Sequence, residues 1–268
     1  MATMMTRKWI PGGTMQDSIR PLCATCAHRP LCLPSGLPGE VENAMAGILI
    51  EDLFVLKGEM LSKQTRVPGK LFVVRSGAFK SEASLSVGAR RVLGLHEAGD
   101  FMSTEPTLGG LPDAEWVALR NSAICVVDPW KLQALAANHP ALGSFIMRIT
   151  AAALVRAQQT LFALGSLHAS GRLAWFLLDL SERRRRRGLD PFALSLPLTG
   201  KDIGNHLGLR PEMVSRVWGA MVRSGLISRH GQDVQILNLD RLAALASGRD
   251  AGARARTAAV ERPTRAKR

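Results

Sequence analysis

Leu198-Thr199-Gly200-Lys201-Asp202-Ile203-Gly204-Asn205-His206-Leu207-Gly208-Leu209-Arg210-Pro211-Glu212-Met213-Val214-Ser215-Arg216 reads as two short helices joined by a tight turn. Thr199 suits the N-cap of the first helix, because its hydroxyl accepts from an amide that the helix leaves unbonded. Gly208 permits the turn. Pro211 fits the first position of the second helix, where a missing N–H costs nothing. Val214, Val217 and Met221 on that second helix face inward, while Glu212, Ser215 and Arg216, at i, i+3 and i+4, share the opposite face. They lie near the N-terminal end, the end that a helix-turn-helix protein places in a major groove.

The chemistry of these three side chains matches base edges. Arg216 can bond guanine O6 and N7, Glu212 can accept from cytosine N4, and Ser215 can approach either base type. An acid on this surface repels phosphate, so Glu212 favours base reading over unspecific attachment. Downstream, Leu226-Ile227-Ser228-Arg229, a turn at His230-Gly231-Gln232 and Val234-Gln235-Ile236-Leu237 predict a hairpin. The motif is therefore a winged helix-turn-helix. The plain alternative is a generic helical hairpin, for which the wing has no purpose.

Upstream, a helix runs from about Ala169 to the arginine run Arg183 to Arg187, with Leu173, Phe176, Leu177 and Leu180 inward. After Pro140, Leu142, Ile146, Ile149, Ala153, Ala157, Leu161 and Leu164 recur at steps of three and four along an almost unbroken helix. So narrow a stripe suits a two-fold seam between identical chains; its alternative is packing on its own barrel. From Leu37 to Pro129 the pattern is short apolar segments broken by glycine. Leu71-Phe72-Val73-Val74, Val92-Leu93-Gly94-Leu95, Trp116-Val117-Ala118-Leu119 and Ser122-Ala123-Ile124-Cys125-Val126-Val127 have strand length, predicting a small β-sandwich or barrel. The fold class expected is α+β.

The 268 residues, 46% hydrophobic and 21% charged, are enough for two domains. A formal charge of +13 favours a polyanionic partner. The basic residues concentrate in the arginine run and in the tail after Ser247, although each run also reads as a solvated helix end or a disordered tail. Arg7 and Lys8 precede no apolar leader core, and no run approaches the ~18 apolar residues of a membrane span. A cytoplasmic protein without membrane attachment is expected. In that reducing compartment the four cysteines point to metal or redox chemistry rather than a structural disulfide.

Three cysteines are spaced Cys23-x2-Cys26-x5-Cys32, and Cys125 stands alone on the last predicted strand. The arrangement asks for four thiolates around one centre. Pro30 and Pro34 keep Cys32 on an irregular loop, and Cys125 receives that loop on a rigid domain. Zinc also takes four thiolates, with His28 as a substitute, and a Cys23–Cys26 disulfide switch is a further reading that leaves Cys32 and Cys125 unexplained. No phosphate-binding glycine loop, G-x-S-x-G turn or H-E-x-x-H pair is present, so an enzyme is not expected. A purely architectural DNA-binding protein would not depend on the cysteines.

On the cysteine spacing, Val74-Arg75-Ser76-Gly77, His96-Glu97-Ala98-Gly99-Asp100, Asp202 to Leu209 and Glu212-x-x-Ser215-Arg216, the chain resembles transcription regulators of the Crp/Fnr superfamily. Within it the resemblance is to the fumarate-and-nitrate-reduction regulators, which sense oxygen. It covers roughly residues 20 to 245. It implies a cyclic-nucleotide-binding-like β-barrel of jelly-roll type, a long dimerisation helix and a C-terminal winged helix-turn-helix. The division expected is a cluster-binding segment at 1–36, a sensor barrel at 37–138, the dimerisation helix at 139–166, the DNA-binding domain at 167–247 and a basic tail at 248–268.

The resemblance further implies a 4Fe-4S cluster on Cys23, Cys26, Cys32 and Cys125, formed when oxygen is scarce and degraded by oxygen. It implies a homodimer on palindromes with TTGAT and ATCAA halves, read by Glu212, Ser215 and Arg216, and contact with RNA polymerase to activate transcription. Two departures qualify it. Relatives keep an acidic residue on the dimer helix that opposes association, whereas residues 141–165 contain Arg148 and Arg156 but no Asp or Glu; the expectation is a dimer less dependent on the cluster. Arg210 stands where a small hydroxyl residue would cap the recognition helix, leaving an orphan donor but adding a phosphate contact. A cyclic-nucleotide ligand is disfavoured, because Ser103-Thr104 and Asp113-Ala114-Glu115 place acids where the phosphate would bind.

Overall fold

The computed structural model describes Cys26 and residues 39–61, 69–84, 90–103 and 114–248. Apart from Cys26 and Gly248, the cysteine segment and the basic tail lie outside the described residues.

A helix, α1 (Gly39–Ile48), opens a stretch where the sequence predicts strands alone. Its Val41, Met45 and Ile48 are buried at i, i+4 and i+7, and Glu40 and Glu42 lie in its first turn, where the helix dipole favours acids. Seven strands follow: β1 (Leu49–Val55), β2 (Leu71–Ser76), β3 (Ala78–Ala83), β4 (Arg91–Glu97), β5 (Phe101–Ser103), β6 (Glu115–Ala118) and β7 (Ser122–Val127). They pair antiparallel as a four-stranded sheet, β1-β7-β2-β5, and a three-stranded sheet, β4-β3-β6. The predicted strands coincide with β2, β4, β6 and β7, except that Leu119 falls just past β6. Between the sheets Phe72, Val74, Phe79, Ile124 and Val126 form one core. On the outer face of the larger sheet Leu49, Val73 and Val127 pack with α1 and with α2 (Pro129–Asn138).

The long helix is α3 (Pro140–Ser166), 27 residues. Its apolar residues divide between two faces. Leu142, Phe145, Ile146 and Ala163 pack on the chain's own body. Met147, Leu154 and Leu161, spaced by seven, with Val155 and Phe162 beside them, are left exposed. The stripe expected from sequence mixed these faces: of its members only Leu161 is among the large exposed residues, because the inner half of the stripe is used by the barrel. By length and composition alone this helix is apolar enough to cross a membrane, contrary to the sequence expectation that no such run exists.

The C-terminal part comprises α4 (Ala169–Arg186), β8 (Ala193–Ser195), α5 (Gly200–Leu207), α6 (Pro211–Arg223), β9 (Ile227–His230), β10 (Asp233–Ile236) and α7 (Leu239–Ala246). Strands β8, β10 and β9 make a three-stranded sheet in that order. Leu173, Phe176, Leu177 and Leu180 are buried as expected, in a core that also takes in Ala78 and Leu95 of the barrel. The fold is α+β: a β-sheet domain, a long helix and a C-terminal helix-turn-helix.

His96 on β4 packs within the smaller sheet. Its Nε2 lies 2.9 Å from Ser81 Oγ, and its ring meets Trp116 edge-on at 4.6 Å. Burial pushes its pKa down from 6.5 to about 3, so it is neutral in the folded chain. The unfolded chain takes up this proton at pH 6.5 and the folded chain only near pH 3. The stabilisation is therefore complete above pH 6.5 and is lost as pH falls through that window, by roughly 1.4 kcal/mol per pH unit at most. Urea unfolding at pH 8 and pH 5 should show a loss of about 2 kcal/mol that is absent in His96→Gln. An equal pH dependence in the variant would assign the loss to other groups.

Candidate nucleic-acid interface and metal centre

The two helices of the motif form where the sequence places them. Thr199 Oγ1 accepts from Asp202 N at 3.1 Å, and Asp202 Oδ2 accepts from Thr199 N at 3.1 Å, a reciprocal capping box. Gly208 ends α5 with φ 64° and ψ 37°, the left-handed conformation that glycine adopts without strain. Gly204 has a different reason to be glycine. A Cβ there would stand 2.6 Å from Leu209 O and 3.3 Å from Val214 Cγ2, so the missing side chain lets the turn fold back onto α5. Gly204→Ala should destabilise the C-terminal domain by about 1–3 kcal/mol or more, seen as an earlier thermal transition and weaker DNA binding. An unchanged transition would mean that the turn relaxes freely.

Helix α6 begins at Pro211, with Arg210 in extended conformation at its N-cap and no side-chain cap bond, in keeping with the reading of Arg210 as a poor cap. Val214, Val217, Trp218 and Met221 are buried, and Glu212, Ser215 and Arg216 are exposed together. The four sequence-predicted DNA-facing residues thus share one accessible helix end. Strands β9 and β10 pair antiparallel, with Asp233 opposite His230 and Gly231-Gln232 at the turn, as the wing. Arg229 on the wing lies over the Trp218 ring at 4.7 Å, fixing wing to helix by a cation–π contact. Trp218 has the apolar periodicity of α6, but its partner on the wing had no local signal.

The docking of this domain on the barrel was also invisible in the sequence. Lys80 Nζ donates at 2.7 Å to Asp202 Oδ1, the second oxygen of the capping carboxylate, and pairs with Glu82 at 3.2 Å. Burial alone would raise the Asp202 pKa, but the hydrogen bonds from Lys80 and Thr199 leave it lowered. Asn205 accepts from Val92 N at 2.5 Å and donates to Arg90 O at 2.9 Å, and His206 Nδ1 lies 3.2 Å from Val92 O. The polar side of α5 is thereby joined to β4.

The arginine run is not uniformly a solvated helix end. Arg183 is buried, donates to Leu95 O at 2.8 Å and pairs with Asp100, while Arg187 pairs with Asp100 and lies 3.8 Å from Glu97. Arg185 and Arg186 are exposed and bond Glu182. Residues i and i+4 of the run point to the barrel because they share a helix face. Burial pushes the Asp100 carboxyl up, but the Arg183 and Arg187 charges outweigh it and hold the group below its ordinary value. On α3, Arg156 lies 3.9 Å from Asp179 of α4, so charged side chains run from the long helix through α4 to the barrel.

Of the four cysteines, Cys26 and Cys125 are described, and both are half-buried; Cys23, Cys32 and His28 lie outside the described residues. Cys125 is on β7, paired to Asp52 of β1 on one side and to Val73 of β2 on the other, so a ladder on both sides holds it rigidly. Its place on a strand paired on both sides, on the outer face of the larger sheet, suits one corner of the four-thiol donor set that an iron–sulfur centre or zinc takes. Among the described residues no group of three or more His, Cys, Asp or Glu is gathered to hold a metal ion. Of the stretches weighed for a nucleotide phosphate, Thr104 and Asp113 are outside the described residues, and Glu115 is buried with its Oε1 accepting from Trp116 N at 3.0 Å.

Residues 171–245 match the Crp-like helix-turn-helix domain family. Over 230 residues the chain is 33% identical to the transcriptional activator protein anr of Pseudomonas aeruginosa, spanning 84% of this chain and 93% of that one. It is 31% identical to the fumarate and nitrate reduction regulatory protein of Escherichia coli, over 84% of this chain and 90% of that one. Among solved structures, FixK2 from Bradyrhizobium japonicum superposes with a TM-score of 0.62 at 26% identity, covering 73% of this chain and 96% of that one. A mutant of CooA from Carboxydothermus hydrogenoformans shares the fold, with a TM-score of 0.59 at 18% identity, over 80% and 92%.

Proposed function

The chain belongs to the Crp/Fnr family of DNA-binding transcription regulators, and from that premise we propose that it is an oxygen-responsive regulator with a 4Fe-4S cluster on Cys23, Cys26, Cys32 and Cys125. It regulates transcription rather than catalysing a reaction. The observation that carries the oxygen-sensing reading is the four-cysteine set, with Cys125 on a strand held by pairing on both sides. When bound, the cluster supplies a four-thiolate tie that oxygen can break. The protein's own part is mechanical: a ligand that binds only when the cysteine segment and barrel are held together shifts the population toward that arrangement.

In this reading residues 1–36 hold the cluster, 37–138 form the sensor barrel, 139–166 the dimer helix and 167–247 the DNA reader, with a basic tail at 248–268. A dimer is typical of the family, and the exposed Met147, Leu154, Val155, Leu161 and Phe162 make a heptad-spaced face for a second copy. With no acid on that helix between 141 and 165, the cluster-free protein remains substantially dimeric. Oxygen then acts mainly through the placement of the DNA-binding domains. Each copy presents Glu212, Ser215 and Arg216 to one half of a TTGAT–ATCAA palindrome, Arg210 contacts phosphate, and bound dimers engage RNA polymerase to activate genes for life at low oxygen.

The test is anaerobic purification, then visible absorption, iron and sulfide content and sedimentation, repeated after exposure to air. A band that bleaches in air, with about four iron and four sulfide per chain, is expected, together with a dimer in both samples. Protein that holds zinc or nothing would move the signal to zinc or thiol oxidation, and monomer after bleaching would return control of dimerisation to the cluster.

A further inference from the structure

Two residues, Leu167 and His168, join the long helix α3 to α4 of the DNA-binding domain, and both are extended. A joint this short sets a reach but not an angle, since rotation about its backbone bonds swings the whole domain. The angle is taken up by the barrel instead, which meets three separate elements of the DNA-binding domain. Helix α5 is bonded through Lys80 and Asp202 at 2.7 Å, and α4 through Arg183 and Arg187, which both pair with Asp100. Strand β8 is bonded through Arg120, whose Nη2 donates to Ser195 Oγ at 2.7 Å. Ala78 and Leu95 of the smaller sheet are buried in the core of the DNA-binding domain. A rigid body held at three separate places has no free rotation left. The barrel is in turn fastened to α3 by Leu142, Phe145 and Ile146. It therefore bridges the helix with the open heptad face and the helix that reads DNA.

The chemistry of these contacts selects one arrangement rather than adding adhesion. A covered ion pair contributes little net stability, because desolvation offsets the attraction, but parting it strands a charge out of water and costs far more. Arg183 is buried, its Nε has no partner among the described residues, and the Asp100 side chain is only 13% exposed. A small rotation that separates them without admitting water leaves two charges unpaired in an apolar setting, whereas a purely apolar contact would tolerate the slide. The seated arrangement also leaves the reading face open, with Glu212, Ser215 and Arg216 all exposed. It is thus an arrangement in which the domain can read DNA.

We propose that the smaller sheet is a seat that fixes the distance and angle between the two recognition helices of a dimer, and that Lys80 and Arg187 are positioning residues for half-site spacing. Neither touches DNA in this role. One added base pair moves a half-site by about 3.4 Å and roughly a tenth of a turn. Seated readers meet one spacing, and loosened readers meet several. The inference rests on the reading of the chain as a dimer on a two-half palindrome and is independent of the metal centre.

The experiment titrates full-length wild type, Lys80→Gln, Arg187→Gln and the double variant, all prepared anaerobically, against duplexes whose TTGAT and ATCAA halves are three, four, five or six base pairs apart. A duplex with one half alone is titrated beside them. Wild type should favour one spacing and lose roughly 100-fold or more at its neighbours, because a second site out of reach forfeits the gain from joint binding. The double variant should lose about 10-fold or less between the same duplexes, with binding to the single half and its salt dependence unchanged. Lys80→Gln, in which Asp202 keeps its capping bonds to Thr199, should fall between the two, and it carries the test should the double variant not fold. Wild-type discrimination in variants that bind the single half normally would overturn the inference, since the joint and the dimer seam would then set the spacing. An equal loss on every duplex, the single half included, would also overturn it, making these residues general supports or phosphate contacts. Wild type that binds all four spacings alike would overturn the inference and leave the DNA-binding reading standing. Wild type that binds neither palindrome nor single half would overturn both.

Discussion

Arg216→Ala should remove sequence-specific DNA binding while leaving weak binding to unrelated DNA in place. A bidentate arginine–guanine contact is worth about 1–3 kcal/mol, and a dimer makes the contact twice, so the loss on a palindrome is roughly 30-fold to 10⁴-fold. The structure gives the substitution a clean background. Arg216 is exposed on α6, while the residues that hold this helix, Val214, Val217, Trp218 and Met221, face the other way, so truncation leaves packing intact. The dependence of affinity on salt concentration should change little, because a base contact neutralises no phosphate. Binding titrations on the palindrome and on a scrambled duplex, each at two salt concentrations, decide the matter. An equal loss on both duplexes with a shallower salt slope would make Arg216 a phosphate contact and move the specificity to Glu212 and Ser215.

Cys125→Ser should have the second large effect, with iron and sulfide falling from about four per chain to a small remainder in anaerobic preparations. Cluster-dependent tightening of DNA binding should disappear with it. The exchange of sulfur for oxygen is nearly isosteric, and Cys125 is only half-buried, so the ladder that pairs it with Asp52 and Val73 should persist. If both bind the proposed centre, Cys26→Ser should match it, and the two together should be no worse than either. Full anaerobic activity in Cys125→Ser would make this residue a packing element of β7, and the metal centre would then have to be completed elsewhere.

The charged contacts between barrel and DNA-binding domain link these two results physically. Lys80 on the barrel bonds Asp202, which also caps α5, and Asn205 and His206 of that helix bond β4. The placement of the helix-turn-helix relative to the smaller sheet is therefore set by specific polar bonds rather than by a loose linker. Such contacts tolerate only a small set of domain arrangements, which is what a regulator needs if a change at one end is to alter the other.

Much of this could be read directly from the order of residues. The helix-turn-helix was legible because its determinants are local: a capping threonine, a glycine in the left-handed turn, a proline at the first helical position and apolar residues at helical spacing. The strands β2, β4, β6 and β7 were legible for the same reason. Helix α1 was not, since it is only ten residues long, with three buried apolar residues, and lies in a region of strand-like fragments. The arginine run was misread in part, because composition cannot show that two of five like charges have carboxylates waiting on another domain.

What the sequence determined by itself was the kind of elements, their order and the chemistry offered by the reading face and by the cysteines. Each of these depends on neighbours within one or two helical turns. Only the tertiary structure decided which face of α3 stays open, where Arg183 and Arg187 find Asp100, and that Arg75 crosses β7 to Asp52 beside Cys125. These partners are separated by tens of residues along the chain. Their pairing follows from strand order, register and a single bulge, and those are fixed by packing the whole domain at once.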